Sequence, residues 1–322
     1  MRVLYSARYH IEIGPHVFPT RKYGLVRARL LETGVIQPAD VVEPAPAGWE
    51  ELARVHTAEY LAKVRGGTLS AEDIAQLELP WSVEMIEGFR TMVGGTIQAA
   101  RLACGMRDGP QAVPYQQTAG HTGHGLQTVP RIVCHIGGGL HHAFPNHGEG
   151  FCPFNDVAVA VRDLQARGLE RVAIVDLDVH HGNGTAFVFE SAPSVFTFSM
   201  HQEHNYPMWK PASTLDIGLP DGTGDSRYLR ELEQALPAVL ASGPQCVFYL
   251  AGADPYEDDQ LGGLRLTREG LRRRDRMVIE HVAEAGLPLV ITLAGGYARH
   301  VEDTVAIHAA TIEEAVAIGV GR

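Results

Sequence analysis

The apolar pair Ile174-Val175 leads into Asp176-Leu177-Asp178-Val179-His180-His181-Gly182-Asn183-Gly184. Alternate side chains of a strand share a face, so Asp176, Asp178 and His180 can point the same way as a strand ends. A carboxylate and an imidazole in that spacing suit a zinc-like divalent ion, although one such triplet serves equally well to solvate a loop. Further along, Ala251-Gly252-Ala253-Asp254-Pro255 places another acid behind an apolar run. Asp254 can supply a third ligand and leave a fourth position open to water, which is the catalytic arrangement for a metal. Ala294-Gly295-Gly296-Tyr297 lets the backbone approach closely and presents a phenol, either to the same crevice or to simple packing. Gly137-Gly138-Gly139-Leu140-His141-His142 ends in adjacent histidines, which suit proton transfer near neutral pH.

Each of these groups follows a short run rich in Val, Ile and Phe: Ile132 to Ile136, Val172 to Val179, Val247 to Ala251 and Leu289 to Ala294, with a further run at Val195 to Met200. Such runs read as strands buried on both faces of a parallel sheet. Helical patterns at Val157 to Arg167, Asp225 to Ala241 and Arg268 to Ala285 alternate with them as in a βαβ series. The fold class expected is therefore α/β: one domain over residues 1–322, a doubly wound, mostly parallel sheet flanked by helices. In such sheets ligands bind beyond the carboxyl ends of the strands, where the polar groups lie.

The 322 residues are 45% hydrophobic and 20% charged, the profile of a soluble globular protein. A formal charge of −11 argues against direct contact with nucleic acid or anionic membrane, both of which call for clustered Lys and Arg. Met1-Arg2-Val3-Leu4-Tyr5 enters a strand-like segment with no secretory h-region, and no stretch is long enough to span a bilayer, so a cytoplasmic location is expected. Cys104, Cys134, Cys152 and Cys246 show no CxxC spacing and are read as reduced and mostly buried. Lysine occurs only at 22, 63 and 210 beside frequent arginine, a bias pointing to prokaryotic base composition.

The segments GGGLHHA, GFCPFND, DLDVHHGNGT, AGAD and LAGGY occur in the order found in histone deacetylases, and the chain resembles that family over most of its length. Thr91 to Thr96 before a helix, His204-Asn205-Tyr206-Pro207 and Asp259 to Leu264 are similar to its class IV branch, with bacterial class IV-like proteins as the nearest relatives. The resemblance implies the arginase/deacetylase fold and a zinc-dependent hydrolase acting on an acylated amine such as acyl-lysine. It implies one Zn2+ per chain held by Asp178, His180 and Asp254. His142 would be the general base and then acid, and His141 its electrostatic partner. Asp176 would orient His141 and Asn183 would orient His142, while Tyr297 would donate to the oxyanion. Gly150, Phe151 and Tyr206 would line a substrate tunnel. Leu261 stands where polyamine deacetylases of the family carry a glutamate, which favours an acyl-lysine or another neutral acyl amide. Asp176, Asp178, His180, Ser199 and Met200 match a structural K+ site, and Arg21 is either an internal arginine behind the zinc or a solvated surface arginine. Pro110 to Pro130 is longer than in class IV relatives and reads as a loop whose His121 and His124 are solvated or bind metal or substrate. A binuclear manganese ureohydrolase of the same fold and a non-catalytic acyl-lysine reader are the alternatives. The first needs extra bridging aspartates and the second a broken ligand set, and neither is seen. Oligomeric state is not legible.

Overall fold

The computed structural model describes residues 1–106 and 132–320. Among the described residues eight strands, β1 (Arg2–Leu4), β2 (Val41–Val42), β3 (Ile132–His135), β4 (Val172–Asp176), β5 (Val195–Gln202), β6 (Leu215–Leu219), β7 (Cys246–Leu250) and β8 (Leu289–Thr292), form one sheet in the order β2-β1-β3-β8-β7-β4-β5-β6. Every adjacent pair is parallel. Strands β3, β4, β7 and β8 are buried at every residue, because helices cover both faces and leave no side that favours polar residues. Edge strand β6 instead alternates between partly buried and exposed positions.

The covering helices are α1 (Lys22–Glu32), α2 (Trp49–Leu52), α3 (Ala58–Gly66), α4 (Ala71–Leu77), α5 (Val83–Ala103), α6 (Asp156–Ala166), α7 (Asn183–Phe189), α8 (Asp225–Ala241), α9 (Arg268–Glu284) and α10 (Val301–Val320). Asn155 caps α6 through a bond from Ala158 N (2.9 Å), and Thr267 caps α9 through one from Gly270 N (2.9 Å). These bonds satisfy backbone N–H groups that the first turn leaves free. Thr91 to Thr96, expected ahead of a helix, lies inside α5. Gly94 and Gly95 let that helix pack closely: a Cβ on Gly94 would lie 1.9 Å from the Ala45 carbonyl oxygen. The four cysteines are free and buried. Among the described residues no helix is long and apolar enough to cross a membrane.

His135, Thr292, Leu250 and Asp176 pair across β3, β8, β7 and β4 as one row at the strand ends. The loops that follow these four strands therefore start at one level and over one patch of sheet. Arg274 of α9 ties two of them together. It is fully buried, donates Nε to Asp275 Oδ1 (2.8 Å), and donates Nη1 to the carbonyls of Gly252 (2.7 Å) and Leu177 (3.3 Å). Arg274→Met is expected to lower stability by about 3–5 kcal/mol, since it strands the Asp275 carboxylate in the core. Urea denaturation measures it, and a loss below about 1 kcal/mol would mean that Asp275 finds other compensation.

Candidate metal centre and tunnel

Strand β4 stops at Asp176, so Asp178 and His180, expected on the strand, stand on the loop just beyond it. They still converge with Asp254 of the β7 loop: one ligand atom from each of the three residues lies within 4.8 Å of the others. Backbone amides fix the carboxylates. Asp178 Oδ2 accepts from Gly295 N (2.8 Å) and Asp254 Oδ1 from Val179 N (2.9 Å), so each loop holds the acid of another. His180 Nδ1 faces Asp178 Oδ1 at 3.0 Å and Asp254 Oδ2 at 3.4 Å. Gly295 is required by this crowding, as a Cβ there would lie 2.0 Å from Asp254 Oδ2.

The electrostatics are those of a cation site. Asp254 Oδ2 is fully buried and accepts no hydrogen bond. Burial and the neighbouring Asp178 push the Asp254 carboxyl up to about 7, against the lowering pull of His180. Burial works to lower the His180 imidazole, yet the hydrogen bond to Asp178 and the negative charge of Asp178 and Asp254 raise it to about 10. Two acids and one imidazole thus gather around positive charge, and a buried lone pair without a donor is what a divalent ion satisfies.

Beside this cluster the two histidines of the β3 loop differ sharply. His141 Nδ1 lies 2.7 Å from Asp176 Oδ2; burial opposes its charge, but Asp176 and Asp178 raise its pKa to about 9. His142 Nδ1 lies 2.7 Å from Asn183 Oδ1, and burial together with His141 and His180 holds it well below the usual imidazole range. The two Nε2 atoms are 3.1 Å apart. One ring is built to keep a proton and the other to be free of one, which separates acid from base within a single motif.

Tyr297 closes the opposite side. Its ring packs against Phe18, Phe151 and His180, with centroids 6.3, 5.9 and 6.5 Å away, and burial raises its phenol well above the ordinary value, so it remains a donor. A cavity of about 180 Å³, lined by Glu78, His142, Gly150, Phe151, His180, Asn205, Tyr206, Leu261 and Tyr297, leads down to the cluster. The four residues expected in the tunnel, Gly150, Phe151, Tyr206 and Leu261, are all among its walls. Gly150 has φ of +50°, and a Cβ there would meet His142 Cδ2 at 2.8 Å.

Arg21 is not the internal arginine but the solvated one: it is exposed at the start of α1, while its neighbour Lys22 turns inward and is fully buried. Lys22 Nζ donates to the carbonyl oxygens of Ala294 (3.0 Å) and Gly296 (3.4 Å), bracing the turn that presents Tyr297. Ser199 pairs in register with Asp176, and Ser199 Oγ sits 3.0 Å from His201 Nδ1; Met200 is buried beside it. His121 and His124 lie outside the described residues.

Other groups shape the site without having been assigned a role from the sequence. Asp156 accepts from Gly139 N (3.1 Å) and Leu140 N (2.7 Å) and so fixes the histidine loop, while Asp259 Oδ2 accepts from Tyr297 N (2.7 Å). Glu78 reaches the cavity mouth from a residue with φ of +60°. His181, His201 and Asp216 form a second group of close ligand atoms.

An all-parallel eight-stranded α/β sheet with a buried carboxylate–imidazole cluster at its strand ends has the arginase/deacetylase fold. The family described as histone deacetylase domain matches residues 16–312, and the chain belongs to it. An uncharacterised protein of Picosynechococcus is 43% identical over 91% of this chain and 90% of its own length. Histone deacetylase 2 of Arabidopsis thaliana is 29% identical over 92% of this chain and 74% of its own. The crystal structure of a histone deacetylase homologue from Aquifex aeolicus superposes with a TM-score of 0.76 at 22% identity, covering 98% of this chain and 83% of that one.

Proposed function

We propose that the chain is a zinc-dependent deacylase of the class IV-like branch, its catalytic unit one domain over residues 1–322, hydrolysing the amide of an acyl-lysine or another acylated amine. The observation that carries this reading is the orphaned, buried Asp254 Oδ2 facing His180 and Asp178 beside a proton-poor His142. Asp178, His180 and Asp254 would hold the ion, which when bound polarises the scissile carbonyl and renders water acidic near neutral pH. Asp176, Asp178, His180, Ser199 and Met200 would hold a structural K+. The acyl-bearing chain lies between Phe151 and Tyr206 along Gly150. His142 Nε2 takes the proton of the attacking water and returns it to the leaving amine nitrogen. His141, charged against Asp176, steadies the anionic transition state, and the Tyr297 hydroxyl donates to the carbonyl oxygen as charge grows there.

Leu261 brings no charge to the tunnel wall, which favours a neutral acyl amide over a polycation. The deciding experiment is turnover of acyl-lysine peptides of rising chain length beside acetylpolyamines, with Zn2+-loaded protein. Acyl-lysine cleavage is expected. Failure on every substrate would favour a reader, and faster turnover of acetylpolyamines would assign Glu78 the selecting charge that Leu261 lacks.

Metal affinity should depend steeply on pH. A His180 imidazole with a pKa of about 10 holds a proton throughout the neutral range, so binding must expel it. Apparent affinity for Zn2+ is therefore expected to rise about tenfold per pH unit from 7 to 9, and more steeply below 7, where Asp254 also takes up a proton. Competition with a chromophoric chelator at several pH values measures this; a flat profile would contradict the arrangement.

A further inference from the structure

Glu149 stands next to the tunnel glycine and contacts neither the ligand cluster nor the cavity in a way the proposed chemistry uses. Its side chain is 14% exposed and its carboxylate is surrounded by donors. Oε1 accepts from Asn183 Nδ2 (2.7 Å) and the Tyr206 hydroxyl (3.1 Å). Oε2 accepts from Gln76 Nε2 (3.1 Å) and lies 3.4 Å from His147 Nε2. The backbone is pinned as well, by Glu149 N to Cys152 O (3.1 Å) and Cys152 N to Glu149 O (2.9 Å). Burial tends to raise this carboxyl, but the four surrounding bonds outweigh it and hold it below the usual range.

We propose that Glu149 is a positioning residue that fixes the tautomer of His142 through the Asn183 amide, and with the same oxygen anchors the Tyr206 wall of the tunnel. This rests on the deacylase reading for its consequence in catalysis, though not for its geometry. An ionised carboxylate only accepts, so the NH2 of Asn183 must face Glu149. The amide oxygen then faces His142 Nδ1 at 2.7 Å, and that nitrogen must carry the hydrogen. Nε2 is left with its lone pair on the side of His141 and the ligand cluster, which is the form a base needs. An asparagine alone does not dictate this, because its amide can turn over and offer NH2 to Nδ1, selecting the tautomer whose Nε2 is blocked. The negative charge that sets the polarity of the chain is thus displaced one residue outward from position 183. Tyr206 is held in the same network, its ring 5.1 Å from that of His142 and nearly perpendicular to it.

A reciprocal pair of variants tests this. Asn183→Asp alone puts two carboxylates where the amide and Glu149 now touch, and kcat is expected to fall about 10²-fold. Glu149→Gln alone removes the polarity and is expected to lower kcat about tenfold with KM changed less than about threefold. Combined, Glu149→Gln/Asn183→Asp restores one acceptor-only group and one donor in reversed order, and kcat is expected to return to within about threefold of the parent. A residue that merely supported the fold would show losses that add. Additive losses, or a Glu149→Gln variant with parental kcat, would overturn the proposal. Imidazole 15N spectra, with the His142 signals assigned against His142→Ala, read the tautomer without turnover: the parent shows Nδ1–H, and Glu149→Gln a mixture. If the parent hydrolysed nothing, the deacylase reading would fall while the spectra still decided the role of Glu149; an Nε2–H form in the parent would overturn it.

Discussion

His142→Ala is expected to reduce kcat by about 10³–10⁴-fold while leaving KM within a few-fold and Zn2+ affinity within about threefold. The size follows from what is lost. General acid–base catalysis contributes about 10²–10⁴-fold, and in the proposed mechanism His142 serves both halves of the reaction in one position. His141 cannot substitute, because Asp176 at 2.7 Å and the nearby Asp178 keep its imidazole charged, with a pKa of about 9. It holds a proton where the attacking water needs an acceptor. The proposed metal ligands are untouched by the change, since Asp178 and Asp254 are held by the amides of Gly295 and Val179. Steady-state kinetics on the best acyl-lysine peptide, together with zinc content, measure the effect. Retained turnover at full zinc loading would move the base elsewhere and sink the assignment of roles between the two histidines.

Sequence is legible here where the physics is local. Strands β4, β7 and β8 are continuous apolar runs because both sheet faces are covered, and the row from His135 to Asp176 then brings their following residues together. Helix α8 begins and ends where its periodic pattern does. The fully buried strands were legible, but β2 has two residues and edge strand β6 is half exposed, so neither carries such a run. Buried charge was not legible. Of the five arginines in α9, only Arg274 is fully buried, and nothing local separates it from Arg272 or Arg273. The same holds for Arg21 and Lys22, adjacent cations of which one faces solvent and the other braces the Tyr297 turn. A helix rotates about 100° per residue, so the distinction depends on how α1 is docked and on which carbonyls are waiting for a donor. Asp156, Asp259 and Glu149 escaped for a related reason: each works through backbone amides or an intervening side chain, and those partners are distant in sequence.

Tyr297→Phe isolates the other half of the proposed chemistry, because it removes one oxygen and leaves the packing of the ring in place. Phe18 and Phe151 contact the ring itself, and the backbone of residue 297 is held by Asp259 through its amide and by Gln260 Nε2 at its carbonyl (2.8 Å). Stability and zinc affinity are therefore expected to change little, with kcat lower by about 10²–10³-fold, the range seen when one oxyanion donor is removed. KM should move by less than about threefold, since a neutral carbonyl gains far less from the hydroxyl than the oxyanion does, and an interaction made only in the transition state appears in kcat. The outcome also separates an enzyme from a reader. A reader would bind an acyl-lysine peptide through Phe151 and Tyr206 and lose little on this substitution, and neither parent nor variant would turn it over. An enzyme in which Tyr297→Phe raised KM as strongly as it lowered kcat would be using the hydroxyl to bind the ground state, and the oxyanion role would have to pass to another donor.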